Sequence, residues 1–154
     1  MAEAKVILLT REIAHNGGRK ILNQEEVVNY LHSRYDSTFT IFNGGYNLSK
    51  SQELFRQARL VLGVHGGAFY NINYSPVETI VAEYVPLDEN NIAFEHGSSQ
   101  IVWSMTSMIG QRFYRLAEKP SQGINTNLQI NLEKLKTLLD EVDKIQLGRV
   151  PLTL

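Results

Sequence analysis

Leu60-Val61-Leu62-Gly63-Val64 runs directly into His65-Gly66-Gly67-Ala68. A short apolar run bounded by a turn signal reads as a strand covered on both faces, and strands of that kind belong to parallel sheets. The glycine pair marks the turn, and a short helical pattern then continues to about Tyr74, where Pro76 ends it. Upstream, Lys5-Val6-Ile7-Leu8-Leu9-Thr10 has the same character. Thr38-Phe39-Thr40-Ile41-Phe42 is rich in β-branched and aromatic residues and closes on Asn43-Gly44-Gly45, as a strand does. Downstream, Thr79 to Val85 makes a fourth strand, stopped by Pro86.

Helical patterns separate these strands. Asn23 is placed to cap a helix over Gln24 to Ser33, with Glu25 and Glu26 in the first turn, where the helix dipole favours acids. Ser49 is expected to cap a second helix through Leu54, Phe55 and Ala58. The alternation βαβαβαβ predicts an α/β, Rossmann-like fold, a parallel sheet with helices on both faces. Beyond it, the sequence suggests a helix from Ser98 to Met108, a short strand from Arg112 to Leu116 and a polar loop from Glu118 to Asn127. Asn131 to Leu147 is amphipathic, with Leu135, Leu138, Leu139, Val142 and Ile145 at helical spacing and Gly148 as its stop. No repeat or internal boundary is visible, so residues 1–154 read as one lobe.

Composition narrows the function. Fifteen basic residues face sixteen acidic ones, a net charge of −1, which argues against nonspecific nucleic-acid binding. There is no cysteine, which excludes disulfides, zinc–thiolate sites, iron–sulfur clusters and thiol nucleophiles. No run of 18 apolar residues occurs, so no membrane-spanning helix is expected. No Asp-x-Asp or His-x-x-x-His spacing appears, and no protein-held metal is expected. His65-Gly66-Gly67-Ala68-Phe69 also looks like a lipase oxyanion loop, but the Gly-x-Ser-x-Gly elbow which that chemistry needs is missing.

In open parallel sheets, ligands bind beyond the carboxyl ends of the strands, where strand order reverses. Arg11 and Arg19 follow the first strand, His65-Gly66-Gly67-Ala68 follows the third, and Glu83 lies near the end of the fourth. Two fixed cations, a glycine turn and a carboxylate suit a nucleotide diphosphate. Bare backbone permits close approach, a helix start offers free N–H groups, and guanidinium forks match phosphate oxygens. Glu83 either meets ribose hydroxyls at the strand mouth or is paired inside the strand. His65 is open to three roles: ligand contact, a hydrogen bond to its own surroundings, or proton transfer.

These residues resemble the blocks of the family-61 glycosyltransferases. Arg11, Arg19 and Ile21-Leu22-Asn23 through Glu26 match one block, Ala58 through Asn71 a second, and Ile80 through Tyr84 a third, in the family's order. The resemblance implies the donor-binding C-terminal lobe of a two-lobed, GT-B architecture. It implies a UDP-sugar donor, no metal cofactor and inverting transfer to a glycan or glycoprotein acceptor. Carried over, Arg11, Arg19 and His65 would serve catalysis by lining the diphosphate with Gly66, Gly67 and Ala68. Asn71 would support the loop, Glu83 would meet the ribose, Asn23 would cap the helix behind the arginines, and Glu26 would brace Arg19. The family's loop is usually Gly-Ala-Gly, whereas this chain carries Gly66-Gly67-Ala68. Sugar choice is expected in the Asp88–Gly97 loop. An N-terminal partner lobe is expected outside this chain, in a secretory lumen for a eukaryotic protein or the cytoplasm for a bacterial one. Two other classes fit the same residues: a non-catalytic nucleotide- or phosphate-binding module, and a degenerate scaffold forming a homodimer through the Asn131–Leu147 helix.

Overall fold

A computed structural model describes residues 4–11, 19–87, 100–119 and 126–148. The Asp88–Gly97 loop and most of the polar loop before Asn127 lie outside the described residues. Five strands form one parallel sheet: β1 (Lys5–Leu9), β2 (Phe39–Phe42), β3 (Ala58–Val64), β4 (Ile80–Pro86) and β5 (Arg112–Glu118). Their order is β2-β1-β3-β4-β5, the doubly wound flavodoxin-like arrangement. The chain winds outward from β1 to β2 and then returns to the other side of β1, so order reverses between β1 and β3.

The helices are α1 (Gln24–Tyr35), α2 (Leu48–Phe55), α3 (Ile101–Ile109) and α4 (Leu132–Leu147), with a 3₁₀ segment over Gly67–Tyr74. The central strands read as unbroken apolar runs because alternate side chains enter two separate cores. Val6, Leu8, Leu60 and Leu62 pack with Val27 and Leu31 of α1 and Leu135, Leu139 and Val142 of α4. Ile7, Leu9, Val61 and Val81 pack on the other face with Phe55 of α2, Phe69 and Ile72 of the 3₁₀ segment and Val102 of α3. The apolar stripe of α4 is therefore packed into this chain's own core.

Several local expectations are revised. Asn47, not Ser49, caps α2, accepting a hydrogen bond from the Lys50 backbone N–H at 3.0 Å. Ala58 opens β3 rather than extending α2. The short helical pattern after Gly67 is of the 3₁₀ type, over Gly67–Tyr74 as expected. β5 runs on to Glu118. Asn23 occupies the N-cap of α1 but its side chain makes no cap bond. Its amide instead bridges to Ile130, donating to that carbonyl and accepting from that N–H, each at 2.9 Å.

One pH response follows from the α1–α4 contact. The Tyr35 hydroxyl lies 3.2 Å from an Asp143 carboxylate oxygen, and burial together with that negative charge pushes its pKa up to about 12. A tyrosine in the unfolded chain ionises near pH ~10. The folded form thus keeps a proton that the unfolded form releases, so this contribution is intact below pH ~10 and is lost as pH rises toward about 12. Wholly buried Tyr84 is also pushed upward, chiefly by burial, and adds to the same loss. Urea midpoints should fall steadily across that interval, and less steeply in Tyr35→Phe. An equal fall in the variant would remove Tyr35 from the account.

Candidate functional site at the carboxyl rim of the sheet

The reversal between β1 and β3 opens a crevice at the carboxyl ends of the strands. Arg11 stands two residues beyond β1, and its guanidinium lies against Gly66, just beyond β3. A Cβ built at Gly66 would stand 2.7 Å from Arg11 Nη2 and 3.3 Å from its Cζ and Nε. The glycine is thus required by close approach: its backbone is extended, with φ 166°, a conformation open to any residue.

Arg19 arrives from the other side, held by long-range pairing rather than by its own neighbours. Its N–H donates to the Thr126 carbonyl at 3.2 Å, Leu22 N–H to Leu128, and Leu128 N–H to Lys20. With the Asn23–Ile130 bridge, residues 19–23 are laced to the segment leading into α4. Arg19 itself has φ 68°, the left-handed region that costs a non-glycine residue roughly 1–2 kcal/mol. That lacing holds it there. Its Nε is buried without a hydrogen-bond partner among the described residues.

Burial, and then the nearby charge of Arg19, hold the Arg11 guanidinium below its ordinary pKa. Among the described residues, no carboxylate lies within salt-bridge distance of either arginine. Glu26 receives the Asn23 amide at 2.9 Å, so the structure records it beside Asn23 rather than bracing Arg19. Two like charges stand together, and an anion between them would relieve both desolvation and repulsion.

Arg11, Arg19, Ala68 and Asn71 line a cleft of about 660 Å³ with Thr10, Asn43, Tyr46 and Ser51. Arg19 also lines an adjoining recess of about 160 Å³ with His65, Gly66, Gly67, Tyr70, Ile101 and Met105. The structure therefore brings every expected site residue except Glu83 to one continuous rim. Asn71 donates to the Ala68 carbonyl at 2.9 Å and pins the loop. The first N–H groups of the 3₁₀ segment have no partner within the helix by geometry. Partly buried Ala68 packs against the apolar core beneath the loop, which accounts for a methyl at that position.

Glu83 is the exception. Its carboxylate has no exposed surface from which to meet a ribose. It is hydrogen-bonded to His65 Nδ1, and its second oxygen lies 3.6 Å from Arg115 Nε. Of the two sequence readings, pairing inside the strand is the one the structure shows.

Sequence reasoning missed Thr10, which is 6% exposed and lines the cleft with an Oγ1 that lacks a hydrogen-bond partner among the described residues. It reads locally as the last residue of a strand, and only the sheet order places it at the reversal. Tyr46 and Tyr70, both exposed, add aromatic surface on either side of the arginines. A larger cavity, about 890 Å³, lies at the amino end of the strands. Its Arg34 and Arg59 are already paired with Asp143, at 2.7 and 3.2 Å, and it lies at the opposite end of the sheet from the topological switch point. Among the described residues no group of three or more His, Asp or Glu side chains is placed to hold a metal ion, and no helix is long and apolar enough to cross a membrane.

Fold and rim together define an α/β domain with two arginines lining a crevice at its topological switch point. Residues 1–82, just over half of the chain, match the glycosyltransferase 61 family, and the chain belongs to it. Its chemistry is accordingly that of glycosyl transfer. The matched span holds Arg11, Arg19 and the whole His65–Asn71 loop. No curated protein matches the chain. Among solved structures, the crystal structure of a diflavin flavoprotein A3 from Nostoc sp. superposes with a TM-score of 0.52 and 12% identity. That match covers 92% of this chain and 90% of the flavoprotein, and at such identity it speaks for architecture alone.

Proposed function

We propose that this chain is the donor-binding lobe of a GT-B glycosyltransferase, that it holds a UDP-sugar by its diphosphate, and that it serves inverting transfer to a glycan or glycoprotein acceptor. The observation that carries the reading is the convergence of Arg11 and Arg19, without carboxylate partners among the described residues, on one cleft, with Arg11 against the bare backbone of Gly66. In the transfer step the acceptor oxygen attacks the anomeric carbon and the bond to the β-phosphate oxygen breaks. The electron pair leaves with UDP, whose terminal phosphate gains charge. Preorganised donors aimed at that charge lower the barrier, and here they are Arg11, Arg19 and the N–H groups that open the 3₁₀ segment. The Thr10 hydroxyl is a further donor on the same wall. These groups neutralise the diphosphate without a metal ion. The acceptor and the base that takes its proton belong to a second lobe.

Calorimetry with UDP tests the site. Wild type should bind, and Arg11→Ala and Arg19→Ala should each weaken binding roughly 10- to 100-fold, the worth of a hydrogen bond to a charged group. Addition of EDTA should leave the affinity unchanged. Wild-type affinity in both arginine variants would remove the assignment.

A further inference from the structure

Glu83 is a wholly buried carboxylate, and burying one is expensive unless partners surround it. It sits on the α2–α3 side of the sheet, flanked in register by Gly63 on β3 and Arg115 on β5. Arg115 supplies a cation 3.6 Å from Oε2, and His65 Nδ1 meets Oε1. His65 is itself 6% exposed, and its ring forms part of the recess wall beside Arg19. The two nitrogens of an imidazole lie on different edges of the ring. With Nδ1 turned inward, the Nε2 edge is the one left for the recess.

The geometry points to Glu83 as a positioning residue that fixes His65 in its Nδ1–H tautomer, so that Nε2 is the nitrogen presented to the donor's diphosphate. The assignment rests on the donor-site reading above and replaces ribose recognition as the role of this carboxylate. An ionised carboxylate only accepts hydrogen bonds, so the proton between the pair resides on Nδ1. With the carboxylate behind Nδ1, a ring protonated on both nitrogens donates Nδ1–H to Glu83 and Nε2–H to a phosphate oxygen, and the negative charge of Glu83 balances the cation. Arg115, remote from the rim in sequence, acts through Glu83 and never touches the ligand. The bond that orients a histidine fixes which nitrogen does the work, as in metal sites and hydrolase triads.

Nitrogen-15 NMR of the histidine rings tests this on the free wild-type protein, at a pH where imidazoles are neutral. His65 should carry its proton on Nδ1. Glu83→Gln keeps the volume but can donate an amide N–H to Nδ1, which moves the proton to Nε2. Its affinity for inorganic pyrophosphate should fall roughly tenfold, because Nε2–H then donates from a neutral ring with no carboxylate behind it to balance an imidazolium. Arg11→Ala should lose pyrophosphate affinity with the tautomer unchanged. An Nε2–H tautomer in wild type overturns the proposal even if Glu83→Gln fails to fold, and so does a Glu83→Gln protein that binds pyrophosphate as tightly as wild type. A wild-type protein with the Nδ1–H tautomer but no affinity for pyrophosphate overturns the donor-site reading instead and leaves the His65–Glu83 pairing in place.

Discussion

A methyl group at position 66 is expected to abolish most UDP binding while sparing the fold. The Cβ of Gly66→Ala would stand 2.7 Å from Arg11 Nη2, far inside contact distance, and the guanidinium must leave. The displaced atoms are the far end of a flexible side chain, so the backbone need not move and stability is barely touched. Extended φ at this position accepts alanine without strain. What is lost is the aim of Arg11, and with it one or two charge-assisted hydrogen bonds, about 1.5–3 kcal/mol each or a factor of roughly 10 to 150 in affinity. Gly67→Ala is the matched control. Its Cβ would find only the Tyr70 ring, at 3.8 Å, an ordinary contact. Thermal melts should show both variants within a degree or two of wild type without ligand. With UDP at 100 times its wild-type dissociation constant, wild type should gain about 2.7 kcal/mol, a rise of roughly 5–10 °C, and Gly66→Ala from about half of that at a tenfold loss of affinity to about a tenth at a 150-fold loss. A full ligand shift in Gly66→Ala would show that Arg11 does not hold the donor.

How legible was this site in the sequence? The central strands were plain because burial on both faces writes continuous apolar runs, and Val6-Ile7-Leu8-Leu9 feeds two cores at once. β5 was less so. It is an edge strand with Arg112, Tyr114 and Leu116 on one side and Phe113, Arg115 and Ala117 on the other, mostly half-buried, and it carries no such run. The rim residues Arg11, Arg19 and His65–Ala68 could be named because strand ends are readable and ligands gather there. Their arrangement could not be read, because it comes from contacts distant in sequence.

Arg19 shows the limit most clearly. Its placement depends on Thr126, Leu128 and Ile130, more than 100 residues away, and nothing local marks a left-handed arginine. Asn23 looked like a helix cap because asparagine often is one, yet tertiary pairing with Ile130 claimed its amide. Glu83 looked like a ribose ligand because acids at strand ends often are. The register that sets it opposite Arg115 is a property of the assembled sheet. The stripe on α4 was read correctly as apolar, but periodicity cannot say whether a stripe faces its own core or a partner.

Gly63 turns the same logic against the fold itself, and Gly63→Ala is expected to be among the most destabilising single methyl additions in the chain. Gly63 pairs with Leu9 on one side and Glu83 on the other. A Cβ there would stand 2.6 Å from Leu9 Cβ, 2.9 Å from the Leu9 carbonyl oxygen and 3.3 Å from its Cα. None of these atoms is the end of a flexible side chain. Relief requires β1 and β3 to move apart, at the point where the sheet reverses and both cores meet. Overpacking of this kind costs about 3 kcal/mol, sometimes more. For a chain of this size, that lowers the melting temperature by roughly 6–12 °C. It would also weaken UDP binding, since Leu9 leads to Arg11 and Gly63 to His65, and spreading these strands separates Arg11 from Gly66. Gly66→Ala and Gly63→Ala thus predict opposite signatures, lost binding with an intact melt against a lowered melt with binding lost in proportion. Chemical denaturation and UDP calorimetry on the two variants read both at once. A Gly63→Ala protein that melts with wild type would mean that β1 and β3 do not approach as closely as 2.6 Å requires.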